Sequence, residues 1–387
     1  MSVQVPAVAE TERTLAYEPG LDGLRAVSIL GVLLFHGAAT SGLDGWFRGG
    51  NLGVSVFFTL SGFLITSLLL TEHEGRGSID MARFWTRRIR RLAPASLSVV
   101  VAVTVVSALP SWSWFDLRRA DALAATWSVT NWHVIAGGDD RLLQTIVGPL
   151  GPTWSLAVEE QFYVLLAIGV WAAARRRSPE RSVAAGASAV VAVSLVLANT
   201  ASSWSPRLEF GTDVRAGELA VGCLLAVVVR RRRAALVARA RTLDLVGTLG
   251  LAAMAVLFAT AGTAPWLLRG GHVALAFVWA AVIAAVLAHG RVAGVLSWVP
   301  IVRVGRWSYA AYLVHWPVFL VLSPDRTGVD GVPLVALKIA VATVLAVALH
   351  QLVEQPLRRW QAPLSTTMIT WLAASGAASV LALVVLR

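Results

Sequence analysis

The chain reads as eleven apolar stretches separated by short polar segments. They fall at about 21–38, 52–72, 92–110, 154–174, 183–199, 212–230, 243–262, 267–289, 307–323, 333–353 and 367–386. A helix rises 1.5 Å per residue, and a hydrocarbon layer about 30 Å thick takes roughly 20 residues. Each stretch therefore predicts one membrane-spanning helix. No long alternating pattern of the kind a barrel needs is present. The polar positions between the stretches are unevenly charged. Arg76, Arg83, Arg87, Arg88, Arg90 and Arg91 follow the second stretch, Arg175, Arg176, Arg177 and Arg181 the fourth, Arg230 to Arg233, Arg239 and Arg241 the sixth, Arg291, Arg303 and Arg306 the eighth, and Arg358 and Arg359 the tenth. The intervening connections are poorer in arginine, and most carry offsetting Asp or Glu. The positive-inside rule then predicts a cytoplasmic N-terminus and leaves Arg387 on the outer side.

Composition sharpens this picture. Of 387 residues 57% are hydrophobic and 14% charged, where a soluble domain carries about 25% charged residues. The expected class is an all-α, polytopic helical membrane protein with about ten core spans and an eleventh. Residues 1–20 form a cytoplasmic tail, 21–360 the main transmembrane unit and 361–387 the additional helix. The first 20 residues lack the basic and apolar regions of a signal peptide, so the first span is expected to stay attached. The net charge of +11 does not imply nucleic acid, because the arginines are distributed loop by loop as topology demands. Lys338 is the only lysine. Cys223 is the only cysteine and reads as a small core hydrophobe; no second Cys or His cluster suggests a metal.

The long connection 111–153 falls on the outer side. It alternates Trp112, Trp114, Trp127 and Trp132 with Asp116, Arg118, Arg119, Asp121, Asp139 and Asp140. It reads as an interfacial aromatic belt or as a platform over a cavity, and 115–133 is expected to form one amphipathic surface helix.

The chemistry sits on the spans themselves. In LDGLRAVSILGVLLFHGA, Arg25 and His36 are eleven positions apart. On a helix they lie about 16 Å apart along the axis and about 20° apart around it. Polar groups at this depth normally face a cavity or a partner. In FWTRRIRRLAPA, Arg87/Arg90 and Arg88/Arg91 share i,i+3 spacing, so each pair can converge on one ligand; planar guanidinium donors match phosphate oxygens. Anchoring at the membrane surface explains the same cluster. In WSLAVEEQFY, Glu159 with Gln161 and Tyr163 is the inward polar candidate and Glu160 the exposed one. Arg215 and Glu218 are spaced to pair, for register or for catalysis. His315 in SYAAYLVHWP lies mid-membrane near Tyr309, and Glu354 in VEQPLR lies at a boundary where it snorkels or meets an arginine. The glycines of GVSVFFTLSGF predict close helix packing.

These segments, in this order over residues 18–360, resemble the acyltransferase-3 family of integral-membrane O-acyltransferases. The resemblance implies about ten core helices, an acyl-CoA donor and acylation of a carbohydrate or other hydroxyl-bearing acceptor, with His36 and Arg25 essential and the arginine cluster at the cytoplasmic mouth. Many relatives continue into an extracytoplasmic esterase-like domain that this sequence does not show, so a two-domain relay on surface polysaccharide is the less expected role. Length and N-terminal sequence are most similar to members that acylate macrolide antibiotics. On this basis coenzyme A, a polyanion, is expected at Arg87, Arg88, Arg90 and Arg91. His36 is the expected general base, with Glu159 as its orienting or proton-accepting partner, and Arg25 meets the donor or Asp22. Asp22, Tyr163, Arg215, Glu218, Tyr309, His315 and Glu354 complete the expected polar network, and no metal is expected. A transporter of a glycosylated metabolite and a structural scaffold are the rival readings.

Overall fold

The computed structural model describes residues 17–137, 148–176, 178–201, 204–262 and 264–386. Arg177, Arg387, Asp139, Asp140 and most of the N-terminal tail lie outside the described residues. All eleven expected spans are helices: α1 Pro19–Ala39, α2 Gly53–Arg76, α3 Met81–Ser107, α4 Thr153–Ala174, α5 Pro179–Thr200, α6 Thr212–Ala238, α7 Ala240–Thr260, α8 His272–Leu287, α9 Val299–Val321, α10 Gly331–Leu349 and α11 Leu364–Val385. Among the described residues there is no strand. Local chemistry sets the ends. Pro19 opens α1 behind an extended Glu18, since its fixed φ suits the first turn. Asp80 caps α3 by accepting from the Arg83 amide at 2.9 Å. Gly77, with φ of 69°, supplies the left-handed residue that closes α2.

Nine of the helices among the described residues are long and apolar enough to cross a membrane. The two expected spans that fall short, α6 and α9, are those loaded with Asp213, Arg215 and Glu218, and with Arg306, two tyrosines and His315. They are also among the most enclosed: α6 packs against α2, α5 and α8, and α9 against α1, α10 and α3. Polar groups are tolerated there because protein, not lipid, surrounds them. Arg215 and Glu218 pair at 2.6 Å with side chains 5% and 0% exposed, and the Arg215 guanidinium lies 5.5 Å from the ring centres of both Phe58 and Trp154. This pair ties α6 to α2 and α4. The expected glycine packing is present at the α2–α6 crossing. A Cβ on Gly62 would sit 1.9 Å from the Leu219 carbonyl oxygen, and one on Gly222 2.0 Å from that of Thr59.

The bundle has two chemically distinct ends. At the end where α1 enters, Glu18 meets Arg233 and His289, Arg230 bridges Glu74 and Glu180, and Arg87 meets Glu72. At the opposite end Lys338 reaches Thr40 and Ser41, Asn131 donates to the Phe210 carbonyl, and Arg119 donates to that of Leu386. The expected single surface helix over 115–133 is instead two short helices, Arg119–Thr126 and Thr130–Gly137. Ser128 adopts φ of 55° between them and donates to Glu160 at 2.5 Å. Trp127 donates to Ser379 and Trp132 to Gln161. Anchors to α11 and α4 thus override the continuous amphipathic pattern.

Glu218→Gln leaves Arg215 as an uncompensated buried charge and is expected to cost about 3–5 kcal/mol. Glu180→Gln, at a partly exposed pair, is expected to cost under about 1 kcal/mol. Thermal and denaturant unfolding in detergent reads both; equal losses would remove the structural role assigned to the α6 pair.

Candidate active site

A cavity of about 1220 Å³ opens at the basic end and runs into the bundle between α1, α2, α3, α4, α6, α9 and the C-terminal turn of α10. It exceeds the roughly 300–1,000 Å³ of an ordinary small-molecule site. Its mouth carries Tyr17, Glu18, Arg230 and Arg233, its walls Arg25, Arg88, Arg91, Arg306 and Arg358, and its inner end Val54, Phe58, Ser155 and Tyr312. Tyr17 donates to Asp22 at 2.8 Å and accepts from Arg306 at 3.0 Å. Partial burial, aided by Asp22, raises the Tyr17 phenol above its ordinary value and keeps it a donor. Asp22 also accepts from Arg25 at 3.2 Å, so Arg25 has the aspartate partner that the sequence suggested.

The arginine cluster divides. Arg88 and Arg91 face the cavity, and the Arg88 Nε is buried without a hydrogen-bond partner. Arg87 is held by Glu72 at 3.3 Å. Arg90 donates to the Ala362 carbonyl and to Thr367, with its guanidinium 5.6 Å from the Trp360 ring centre. The i,i+3 pairing therefore brings Arg88 and Arg91 together on the cavity, while Arg87 and Arg90 brace the fold. The second pair diverges because α11 and its leading segment pack on that side of α3.

Glu159 lines the cavity and accepts from Ser61 at 2.5 Å, with Arg25 and Arg91 as its basic neighbours and Tyr163 beside it. Gln161 belongs elsewhere: it accepts from Thr212 and donates to Asn131 at the outer loop. Tyr309 lines the cavity and donates to the Leu92 carbonyl at 2.9 Å. Glu354 meets not an arginine but His350, at 2.6 Å. The π-helical turn His350–Glu354 points both at the cavity, and Gln355 contacts the other His350 nitrogen at 3.0 Å.

His36 does not lie on the cavity wall. It is 6% exposed and its Nδ1 is 3.0 Å from Nε2 of His315. Its hydrogen-bond partner is thus His315, while the expected partner Glu159 is held by Ser61. The protons of this pair are dictated by their surroundings. His315 Nδ1 is 2.7 Å from the Tyr312 carbonyl oxygen. A carbonyl can only accept, so that nitrogen carries the proton. His315 Nε2 is then a lone pair, and His36 Nδ1 must donate to it. In the neutral pair, His36 Nε2 is left as the unprotonated nitrogen. Trp316 packs on His36 with ring centres 5.0 Å apart and donates to the Gly148 carbonyl at 2.9 Å, beneath the outer loop. Tyr312 stands between the two regions. Its ring is 5.4 Å from that of His315, and its hydroxyl meets Ser155 at 2.7 Å and donates to the Pro152 carbonyl at 3.0 Å.

The family model described as an acyltransferase domain (Acyl_transf_3) matches residues 18–352. The chain belongs to the acyltransferase-3 family. It is 32% identical to the O-acetyltransferase OatA of Staphylococcus aureus over 352 residues, covering 89% of this chain and 57% of that protein. It is 33% identical over 366 residues to the putative peptidoglycan O-acetyltransferase YrhL of Bacillus subtilis, covering 88% and 55%. It is 30% identical over 367 residues to the peptidoglycan O-acetyltransferase OatA of Listeria monocytogenes, covering 90% and 57%. The chain thus spans just over half the length of these curated relatives. No solved structure matches it. Three residues on or beside the cavity make contacts for which the sequence offered no role. His350 precedes Glu354 by four positions, Ser155 precedes Glu159 by four and Tyr312 precedes His315 by three; one helical turn is the signal that would have found each.

Proposed function

We propose that this acyltransferase moves an acetyl group from acetyl-CoA, bound in the basic cavity, to a hydroxyl of a carbohydrate acceptor that reaches His36 from the opposite end. The observation that carries the reading is the hydrogen-bond chain Tyr312 carbonyl–His315–His36, which leaves a lone pair on His36 Nε2. In the reaction, His36 Nε2 takes the acceptor hydroxyl proton as that oxygen attacks the thioester carbonyl. The carbon–sulfur bond breaks as the intermediate collapses, and the imidazolium returns the proton to the thiolate. His315 steadies the ring by accepting from Nδ1. Such catalysis is typically worth about 10²–10⁴-fold.

Arg88 and Arg91 receive the donor's phosphates in this scheme, and the cavity carries the pantetheine arm inward to Ser155 and Tyr312. Turning Tyr312 out of its bonds to Ser155 and Pro152 joins the cavity to the histidine pair. The basic end is the cytoplasmic one by the positive-inside rule, which is where acetyl-CoA is made. The relatives named above act on peptidoglycan or are described as O-acetyltransferases, and this favours a glycan acceptor; the macrolide expectation finds no counterpart among them. The membership in an acyltransferase family leaves the transport and scaffold readings without support.

Purified protein in detergent, given acetyl-CoA and glycan fragments, is expected to release free CoA thiol only when acceptor is present. His36→Ala is expected to lower that rate by at least about 10²-fold; a variant that inserts normally and keeps its rate would remove this mechanism. Arg88→Gln is expected to raise KM for acetyl-CoA, by a smaller factor at higher salt because screening already weakens the contact in the parent, while Arg90→Gln is expected to lower Tm and leave KM unchanged. The reverse pattern would move the donor site away from α3's cavity face.

A further inference from the structure

Lys338 is the only lysine in the chain and its residue is 0% exposed. An ammonium in such a place is costly unless every proton has an acceptor. All three have one: Nζ is 2.6 Å from the Thr40 carbonyl oxygen, 2.8 Å from Thr40 Oγ1 and 3.0 Å from Ser41 Oγ. No donor remains for a ligand, so the group serves α1. Its acceptors sit at the C-terminal end of that helix, where exposed carbonyls and the helix dipole favour a cation.

The tripod connects directly to the histidine pair. Thr40 Oγ1 accepts from Lys338 and its hydroxyl donates to the His36 carbonyl oxygen at 2.6 Å. Lys338 Nζ also lies 5.9 Å from the Phe319 ring centre, and that ring stands edge-on to His315 at 5.6 Å. One side chain of α10 therefore touches supports of both histidines, one on α1 and one on α9. Two further contacts press α10 onto the same turn. The Gly331 amide donates to the Ser41 carbonyl at 2.7 Å, and a Cβ on Gly37 would come within 3.2 Å of Val335 Cγ1. An apolar residue at 338 would fill this space at less cost. What the ammonium adds is angular: three acceptors on one tripod fix both the rotation and the axial register of the last turn of α1. A hydrogen bond of 3.0 Å between two imidazoles tolerates only a few tenths of an ångström.

We propose that Lys338 is a positioning residue, which holds the last turn of α1 so that His36 Nδ1 meets His315 Nε2. The inference rests on the proposed role of His36 as base. It predicts a split between turnover and donor binding, because the donor cavity lies at the other end of the bundle. Lys338→Met is expected to lower kcat by about 10²-fold, the loss that follows an ångström of misplacement, with KM for acetyl-CoA within about twofold of the parent. Thr40→Val is expected to lower kcat by about tenfold and Thr40→Ser, which keeps the hydroxyl, to restore it. Rates are normalised to CoA-binding protein from isothermal titration, so loss of folded material does not count. Parental kcat in both Lys338→Met and Thr40→Val would overturn the proposal, as would equal losses in Thr40→Val and Thr40→Ser. If Lys338→Met fails to fold, the Thr40 pair decides alone. Undiminished turnover in His36→Ala would instead overturn the reaction scheme and leave the Lys338 clamp a purely structural device.

Discussion

A polar group inside a hydrocarbon layer has no water to turn to, and this constraint organises the molecule. The charged and titratable side chains that α1, α6, α9 and α10 carry into the bundle are paired across turns or helices: Arg25 with Asp22, Arg215 with Glu218, His36 with His315, and Lys338 with the end of α1. The apolar helices α3, α7 and α11 can then face lipid, and the polar ones are enclosed. Two buried polar atoms without a hydrogen-bond partner, the Arg88 Nε and one oxygen of Glu354, belong to residues that line the cavity.

The layout separates two chemical tasks along the membrane normal. Guanidinium groups collect at the mouth and lower walls, where a polyanion can be held by many weak, forked contacts. The imidazole pair sits beyond Tyr312, among the rings of Phe35, Trp316 and Phe319. A single open channel would expose the base to bulk water from the basic end. Tyr312 interrupts it through its bonds to Ser155 and the Pro152 carbonyl, each costing about 1 kcal/mol to break, and so divides the two regions without sealing them. On the proposed reaction this partition keeps the thioester from hydrolysis until an acceptor is in place.

Much of this was legible along the chain. Span positions followed from apolar length, the Arg215–Glu218 pair from i,i+3 spacing, and close packing of α2, though not its partner α6, from the glycines around Gly62. The burial of His36 and His315 was legible too, because a titratable residue amid an apolar run needs a protein partner. Their mutual contact was not, since it joins residues 279 positions apart on helices whose adjacency no local pattern encodes. The four arginines of α3 looked like one cluster, yet neighbouring helical positions diverge by about 100°, and only the placement of α11 decides which of them face the cavity. Ser128 breaks the surface helix for a comparable reason: its hydroxyl gains Glu160 of α4, a partner 32 residues away. Local spacing found Arg215–Glu218 on one helix, failed for Arg87 and Arg90 where neighbouring elements claimed each separately, and was silent wherever the second partner arrived from elsewhere.

On the proposed reaction the donor runs from the basic mouth, past Arg88 and Arg91, to Tyr312, which turns aside to open the way to the histidine pair behind it. A cryo-electron microscopy structure of the protein with coenzyme A bound tests it most directly. The account predicts the phosphates against Arg88 and Arg91 and the thiol sulfur beside Tyr312, aimed at His36. Coenzyme A seated at the opposite end, or with its thiol turned away from α9, would contradict it.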